Sequence, residues 1–283
     1  MTLVTTEWLA AHLHDPDLRI CDVRWVLGAP GAGREAWQAG HIPGAAFVDL
    51  DAELSAPDDG RAGRHPLPEP AAFARLLARL GVGPETHVVA CDDAGGTIAA
   101  RLWWLLRAAG HERVSLLDGG LAAWLSAGLP LSIELPSVEP APLRQISFVH
   151  GHQVAREDLV SLLEGLAATL LDARAPERYR GEVEPVDPRP GHIPGAVNVP
   201  VASLLEGGRF LSAERLRARF EAAGVDAGRL VIASCGSGVT ACHLLFALDL
   251  CGLVPFGSGC LYPGSYSEWA RGVDREVRSG GAP

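Results

Sequence analysis

Arg229-Leu230-Val231-Ile232-Ala233-Ser234-Cys235-Gly236-Ser237-Gly238-Val239-Thr240-Ala241-Cys242-His243 runs from an apolar stretch, through a glycine-bearing loop, into the apolar stretch Leu244-Leu245-Phe246-Ala247-Leu248. The pattern predicts a buried strand, a tight loop and then a helix. A cysteine at the lip of such a loop faces several backbone N–H groups and the positive end of a helix dipole. Both favour thiolate over thiol. Cys235 is therefore the candidate nucleophile, and the rest of the chain is read by how it serves that residue.

The chain of 283 residues has room for two ordinary domains, and 48% hydrophobic with 20% charged residues is a globular composition. No apolar run approaches the length of a membrane span, and the N-terminus lacks the basic-then-apolar pattern of a signal peptide. A cytoplasmic protein is the expectation. The net charge of −10 speaks against nucleic acid or an anionic membrane as a partner. The acidic excess is concentrated in the first 140 residues, so the half that holds Cys235 is closer to neutral. All 24 basic residues are arginine. Without lysine, Schiff-base chemistry and P-loop phosphate binding are excluded. The six cysteines are dispersed with no CxxC pair, against a zinc site and against a disulfide framework.

In chain order, Glu7–Leu13 reads as a short helix and Leu18–Arg24 as a strand ending in Asp-x-Arg. Gly40-His41-Ile42-Pro43-Gly44-Ala45 is turn material, and the Pro-, Gly- and Asp-rich residues 55–68 read as a loop. Phe73–Leu80 and Ile98–Ala109 have helical periodicity; His87–Cys91 and Val114–Leu117 read as strands. The pattern then restarts. Leu170-Leu171-Asp172-Ala173-Arg174 echoes Ile20–Arg24, Gly191-His192-Ile193-Pro194-Gly195-Ala196 repeats residues 40–45, and Leu230–Ala233 echoes His87–Ala90. A period of about 150 residues marks a duplicated domain rather than a solenoid. Strands alternating with helices predict α/β domains, each a mainly parallel sheet flanked by helices on both faces. The expected boundaries are an N-terminal domain over 1–130, a proline-rich linker over 131–147 and a C-terminal domain over 148–279.

Superposing the repeats sets Asp92 opposite Cys235. An aspartate is no sulfur nucleophile, so the second copy is expected to be catalytic and the first silent. His41, His192, Arg24 and Arg174 occur in both copies and are read as structural. Cys-x5-Arg phosphatase chemistry is disfavoured, because the sixth residue after Cys235 is Ala241.

The two GHIPGA motifs, the Asp-x-Arg strand ends, Asp118-Gly119-Gly120, Gly264-Ser265-Tyr266-Ser267-Glu268-Trp269 and the Cys235 loop together resemble the rhodanese family of sulfurtransferases in its tandem form, over nearly the whole chain. The resemblance implies two tandem rhodanese-like domains and a sulfurtransferase that carries sulfur as a persulfide on Cys235. The loop Cys235-Gly236-Ser237-Gly238-Val239-Thr240 is similar to that of 3-mercaptopyruvate sulfurtransferases. Thiosulfate-specific members place an Arg and a Lys after the cysteine, and this chain does not. Carried over by motif, Ser237, Asp51 and His65 act with Cys235. Arg178 holds the donor's charged end, Arg189 stands in for a second arginine near Asp187, and the N–H groups of Gly236, Gly238, Val239 and Thr240 cradle the sulfur. For His65 and Asp51 a solvated loop pair is the competing reading. The expected partners are a small anionic sulfur donor and a thiol acceptor, such as a small thiol or a thioredoxin-like protein, with no cofactor. A thiosulfate donor with the same persulfide, and a non-catalytic rhodanese-like binding module, are the alternatives.

Overall fold

Residues 87–91 and 230–234, the runs that match each other in the repeat, are inner strands of two separate parallel sheets. The computed structural model describes residues 2–149, 151–165, 167–226 and 228–282. They divide into two units. The first comprises residues 1–56, 68–149 and 207–210, and the second residues 57–67, 150–206 and 211–283.

The first unit holds β1 (Leu3–Val4), β2 (Leu18–Asp22), β3 (Ala46–Phe47), β4 (His87–Cys91) and β5 (Val114–Leu117) in the order β1-β5-β4-β2-β3, all paired parallel. Its helices are α1 (Thr6–His12), α2 (Ala32–Ala39), α3 (Leu50–Glu53), α4 (Pro70–Arg79), α5 (Ala99–Ala108) and α6 (Gly120–Ser126). The strands are buried nearly end to end, which explains why they read as continuous apolar runs rather than alternating ones. Thr5 caps α1 by accepting the Trp8 N–H. The stretch Phe47–Asp51 splits between strand and helix. Asp49 accepts from the N–H groups of Asp51 and Ala52 at 3.0 and 3.1 Å, and so starts α3.

The second unit holds α7 (Arg156–Glu164), β6 (Ala168–Asp172), α8 (Pro176–Tyr179), β7 (Ala196–Asn198) and the short β8 (Leu205–Glu206). The equally short β9 (Arg209–Phe210) belongs to the first unit. Then follow α9 (Ala213–Ala222), β10 (Leu230–Ser234), α10 (Ala241–Leu250), β11 (Gly259–Leu261) and α11 (Ser265–Arg271). The sheet order is β11-β10-β6-β7, again parallel. The counterpart of β1 is reduced to a single bridge, Gln153 to Leu261. Leu159, Leu170, Ile193, Ile232, Tyr262, Tyr266 and Trp269 form the core between sheet and helices. Truncating one such leucine costs ~2–5 kcal/mol.

Both GHIPGA motifs and both Asp-x-Arg corners are structural, as expected. Arg24 Nε reaches the Asp22 carboxylate and its Nη2 the Gly40 carbonyl; Arg174 does the same with Asp172 and Gly191. His41 bridges the Trp37 and Glu134 carbonyls, and His192 those of Tyr179 and Ala282. Asp172 pairs in register with Ser234, so this corner stands beside the start of the Cys235 loop, at the carboxyl ends of the strands where parallel sheets place ligands. Among the described residues no helix is long and apolar enough to cross a membrane.

Candidate active site

Between the end of β10 and the start of α10, six residues turn the chain around the Cys235 side chain. The turn needs Gly238 at φ 82°, because a Cβ there would meet the Pro263 carbonyl oxygen at 2.3 Å. Cys235 Sγ accepts the Gly238 N–H at 3.1 Å and the Ser237 N–H at 3.4 Å. The loop is fastened from behind by the start of α11. The Tyr266 N–H donates to the Cys235 carbonyl at 2.9 Å and the Ser267 N–H to the Gly236 carbonyl at 2.8 Å. The Cys235 N–H donates to Ser265 Oγ at 3.0 Å, and that hydroxyl donates to the Tyr262 carbonyl at 2.9 Å. Ser265 is fully buried and is the single non-glycine residue with positive φ, 51°, among the described residues. The hydroxyl of this strained serine thus accepts from the amide of Cys235 itself. Val239 is buried in the turn, and Thr240 sits at the start of α10 without a side-chain capping bond.

Loop 57–67 brings a second set of groups into this unit. His65 Nδ1 lies 2.7 Å from Ser237 Oγ, and both residues are buried. The loop is held to α11 by Arg271, which forks onto the Asp58 carboxylate at 2.8 and 2.5 Å and also reaches the Ala62 carbonyl. Gly63 lies against Gly264, where a Cβ would meet its carbonyl at 2.4 Å. The Arg64 N–H donates to Ser267 Oγ. His65 is thus a buried neighbour of Ser237 rather than a solvated side chain.

Arg178, at the end of α8, donates from Nε and Nη2 to Glu184 and from Nη2 to Asp187. Arg64 Nη1 donates to the other oxygen of Asp187. Burial pushes the Asp187 carboxyl up, and the attraction of Arg64 and Arg178 only partly offsets it. Burial also raises Glu184, but hydrogen bonds from Arg178 and from the Asp187 and Val186 N–H groups outweigh it and hold that carboxyl below its ordinary value.

The remaining two expected site residues, Asp51 and Arg189, have the following partners within their own units. Asp51 belongs to the first unit, where its carboxylate accepts the Trp25 indole N–H at 2.8 Å. Arg189 is turned toward the end of α11: Nε donates to the Ala270 carbonyl, Nη1 to Arg275, and Nη2 to Trp269 and Gly272. Its nitrogens satisfy backbone carbonyls left open at a helix end, which removes it as the substitute second arginine. Sequence reading missed Ser265 and Arg64. Ser265 was visible as the residue opposite Gly120 in the repeat, and Arg64 as the neighbour of His65.

The first unit supplies an internal comparison. Asp92 is buried, and its carboxylate accepts the N–H groups of Ala94, Gly96, Ile98 and Ala99 at 2.8–2.9 Å. By register these correspond to Ser237, Val239, Ala241 and Cys242. The loop shape common to both units is an anion cradle, and in the first unit the chain's own carboxylate fills it.

Rhodanese-like domain models match residues 5–127 and 155–271. The chain belongs to the rhodanese family. This rhodanese is 47% identical, over 98% of both chains, to a Pseudomonas aeruginosa protein named "Probable 3-mercaptopyruvate sulfurtransferase". It is 37% identical to the thiosulfate sulfurtransferase of Rattus norvegicus, over 98% of this chain and 94% of that one. Among solved structures it resembles SseA from Escherichia coli, described with the 3-mercaptopyruvate sulfotransferases, with a TM-score of 0.82 and 36% identity over 95% of this chain and all of that one.

Four of the other thiols of this rhodanese are poorly suited to nucleophilic work. Burial pushes Cys21 up to about 12 and raises Cys91, Cys251 and Cys260 as well.

Proposed function

We propose that this rhodanese moves sulfur from 3-mercaptopyruvate to a thiol acceptor through a persulfide on Cys235, with the first unit chemically silent. The observation that carries the reading is the Cys235 sulfur under two loop N–H groups, beside the Ser237–His65 pair.

The Cys235 thiolate attacks the donor's thiol sulfur, forming the S–S bond as the C–S bond breaks. The C–S electron pair leaves on carbon as the enolate of pyruvate. That carbon takes a proton relayed through Ser237 and His65, and the product is pyruvate. The persulfide S–H then gives up its proton, which restores the relay. The outer sulfur anion lies where the Asp92 carboxylate lies in the first unit, within the loop amides. An acceptor thiolate attacks this outer sulfur and the Cys235 thiolate leaves, completing a ping-pong cycle. A small thiol or a thioredoxin-like protein fits as acceptor. The cytoplasm, where free thiols persist, suits both the acceptor and the free cysteines of this chain.

The charge balance favours a monoanionic donor. Arg64 and Arg178 are offset by Asp187 and Glu184, so the cluster offers a directional fork without a large positive field. Dianionic thiosulfate needs the field more than the fork. The test is kcat/KM for 3-mercaptopyruvate and for thiosulfate, with cyanide as acceptor. Mercaptopyruvate is expected to lead by at least about tenfold. A lead for thiosulfate overturns the donor assignment, and turnover by Cys235→Ser overturns the persulfide.

A further inference from the structure

The turn that fastens the Cys235 loop from behind is itself closed by a side-chain bond. Tyr262 stands at the end of β11, with its N–H on the Ala233 carbonyl at 2.9 Å. Its hydroxyl reaches across six residues and donates to Glu268 Oε2, in α11, at 2.8 Å. The other oxygen, Oε1, faces Arg156 Nη1 at 3.5 Å. Tyr262 is 1% exposed, and burial beside the Glu268 carboxylate pushes its hydroxyl up, so it stays a donor. The carboxylate lies hard against the backbone of Gly264, where any Cβ would collide with Oε2. Enclosed between the two partners is Ser265, at φ 51°.

The first repeat has neither partner. Leu117 stands in place of Tyr262 and Ala123 in place of Glu268, and the residue enclosed between them is Gly120, at φ 55°. Glycine takes that conformation without strain, so the turn there needs no clasp. A serine holds it only where its surroundings leave no alternative. The strained residue and the two side chains around it thus occur together in the half that carries Cys235, and are absent together from the other.

We propose that Tyr262 and Glu268 are positioning residues for the nucleophile: their hydrogen bond clasps the turn 263–267 and keeps Ser265 at the φ from which its hydroxyl accepts the Cys235 N–H. Without the clasp, Ser265 relaxes toward negative φ and its hydroxyl leaves the amide, so the Cys235 loop loses one of its ties. The inference rests on Cys235 as the sulfur carrier and is independent of which donor supplies the sulfur.

The experiment measures kcat and KM per folded protein, with cyanide as acceptor and whichever of 3-mercaptopyruvate and thiosulfate the wild type prefers. Tyr262→Phe, which removes one oxygen, is expected to lower kcat about tenfold with KM changed less than about twofold. Glu268→Ala should match it. Glu268→Gln keeps an acceptor for the hydroxyl and should recover most of the lost rate. The deciding arm repeats Tyr262→Phe on Ser265→Gly. A glycine at 265 holds the turn without the clasp and has no hydroxyl to place, so kcat should fall less than about twofold further. A merely structural Tyr262 would slow both backgrounds alike; equal losses, or full kcat in Tyr262→Phe, overturn the inference. If Tyr262→Phe does not fold, Glu268→Ala and Glu268→Gln in the same two backgrounds make the same comparison. Mass spectrometry of the wild type treated with donor alone keeps the two readings apart. Without an added sulfur atom on the Cys235 peptide the persulfide reading fails, and the role of the clasp with it.

Discussion

Ser265 holds, at φ 51°, the backbone position that Gly120 holds at φ 55° in the first repeat. Glycine adopts that conformation freely and serine does not. The second repeat tolerates the strain and in return places a hydroxyl on the amide of Cys235. Ser265→Gly is expected to relieve the strain while removing the acceptor: stability within ~1 kcal/mol of wild type and kcat lower by about tenfold. Ser265→Ala keeps the strain and leaves a buried N–H unpaired, costing ~1–3 kcal/mol. Denaturant unfolding and turnover, measured on both variants, check the pair; a Ser265→Gly enzyme with full kcat would show that the hydroxyl does not position the nucleophile.

Asp92 is structurally important in the repeat proposed to be silent. Asp92→Ala leaves four loop N–H groups without their carboxylate and is expected to destabilise the protein by ~3 kcal/mol or more. The enzyme that remains folded should turn over at close to the wild-type rate. Cys235→Ser should do the reverse, keeping the fold and losing transfer. Melting curves alongside activity normalised to folded protein separate the two effects.

Arg178 and Arg189 should part company in kinetics. Arg178→Gln is expected to raise KM for 3-mercaptopyruvate by about tenfold or more, through loss of a charged hydrogen bond. Arg189→Gln strips four carbonyls of their donor and should lower stability by ~1–3 kcal/mol with KM changed less than about twofold. Steady-state kinetics at matched folded fraction decides it.

The tether of loop 57–67 carries a pH signature. The hydrogen bond from Arg271 holds the Asp58 carboxyl below its ordinary value of 3.8. For an acid depressed in the folded state, the stabilisation is complete above the ordinary value and is lost as pH falls through the folded one. The loop should therefore stay protected from proteolysis from neutral pH down to about pH 4 and loosen below it. Asp58→Asn removes the charge at every pH, so its loop should be cleaved faster throughout, with kcat lowered as His65 loses its fixed place.

Much of this was legible in the sequence because the duplication made it so. Strands β4 and β10 are built on the apolar runs Val88–Cys91 and Leu230–Ala233, and Cys235 declares itself by the loop around it. Ser237 and His65 were named from motif, and the structure joins them at 2.7 Å. Arg189 was misplaced because its neighbours in sequence are near the site, whereas its guanidinium is captured by carbonyls some eighty residues away in the chain. Arg64 escaped notice for the opposite reason. It lies far from Cys235 in sequence, in a loop grouped by composition with the first domain, and only the packing of residues 57–67 with the second unit gives it a role. Long-range pairing of this kind leaves no periodicity to read.

The filled cradle of the first repeat bears on how such an enzyme could gain a second centre. Placing a cysteine at position 92 would open the cradle, but its amide would face Gly120, which has no hydroxyl to hold it. A working nucleophile there calls for at least two coordinated changes, Asp92→Cys and Gly120→Ser. Gly120 has no room to spare, since a Cβ on it would meet the Asp92 carbonyl at 2.2 Å. The first repeat, silent in the proposed mechanism, is therefore separated from a Cys235-like centre by a backbone rearrangement as well as by one residue.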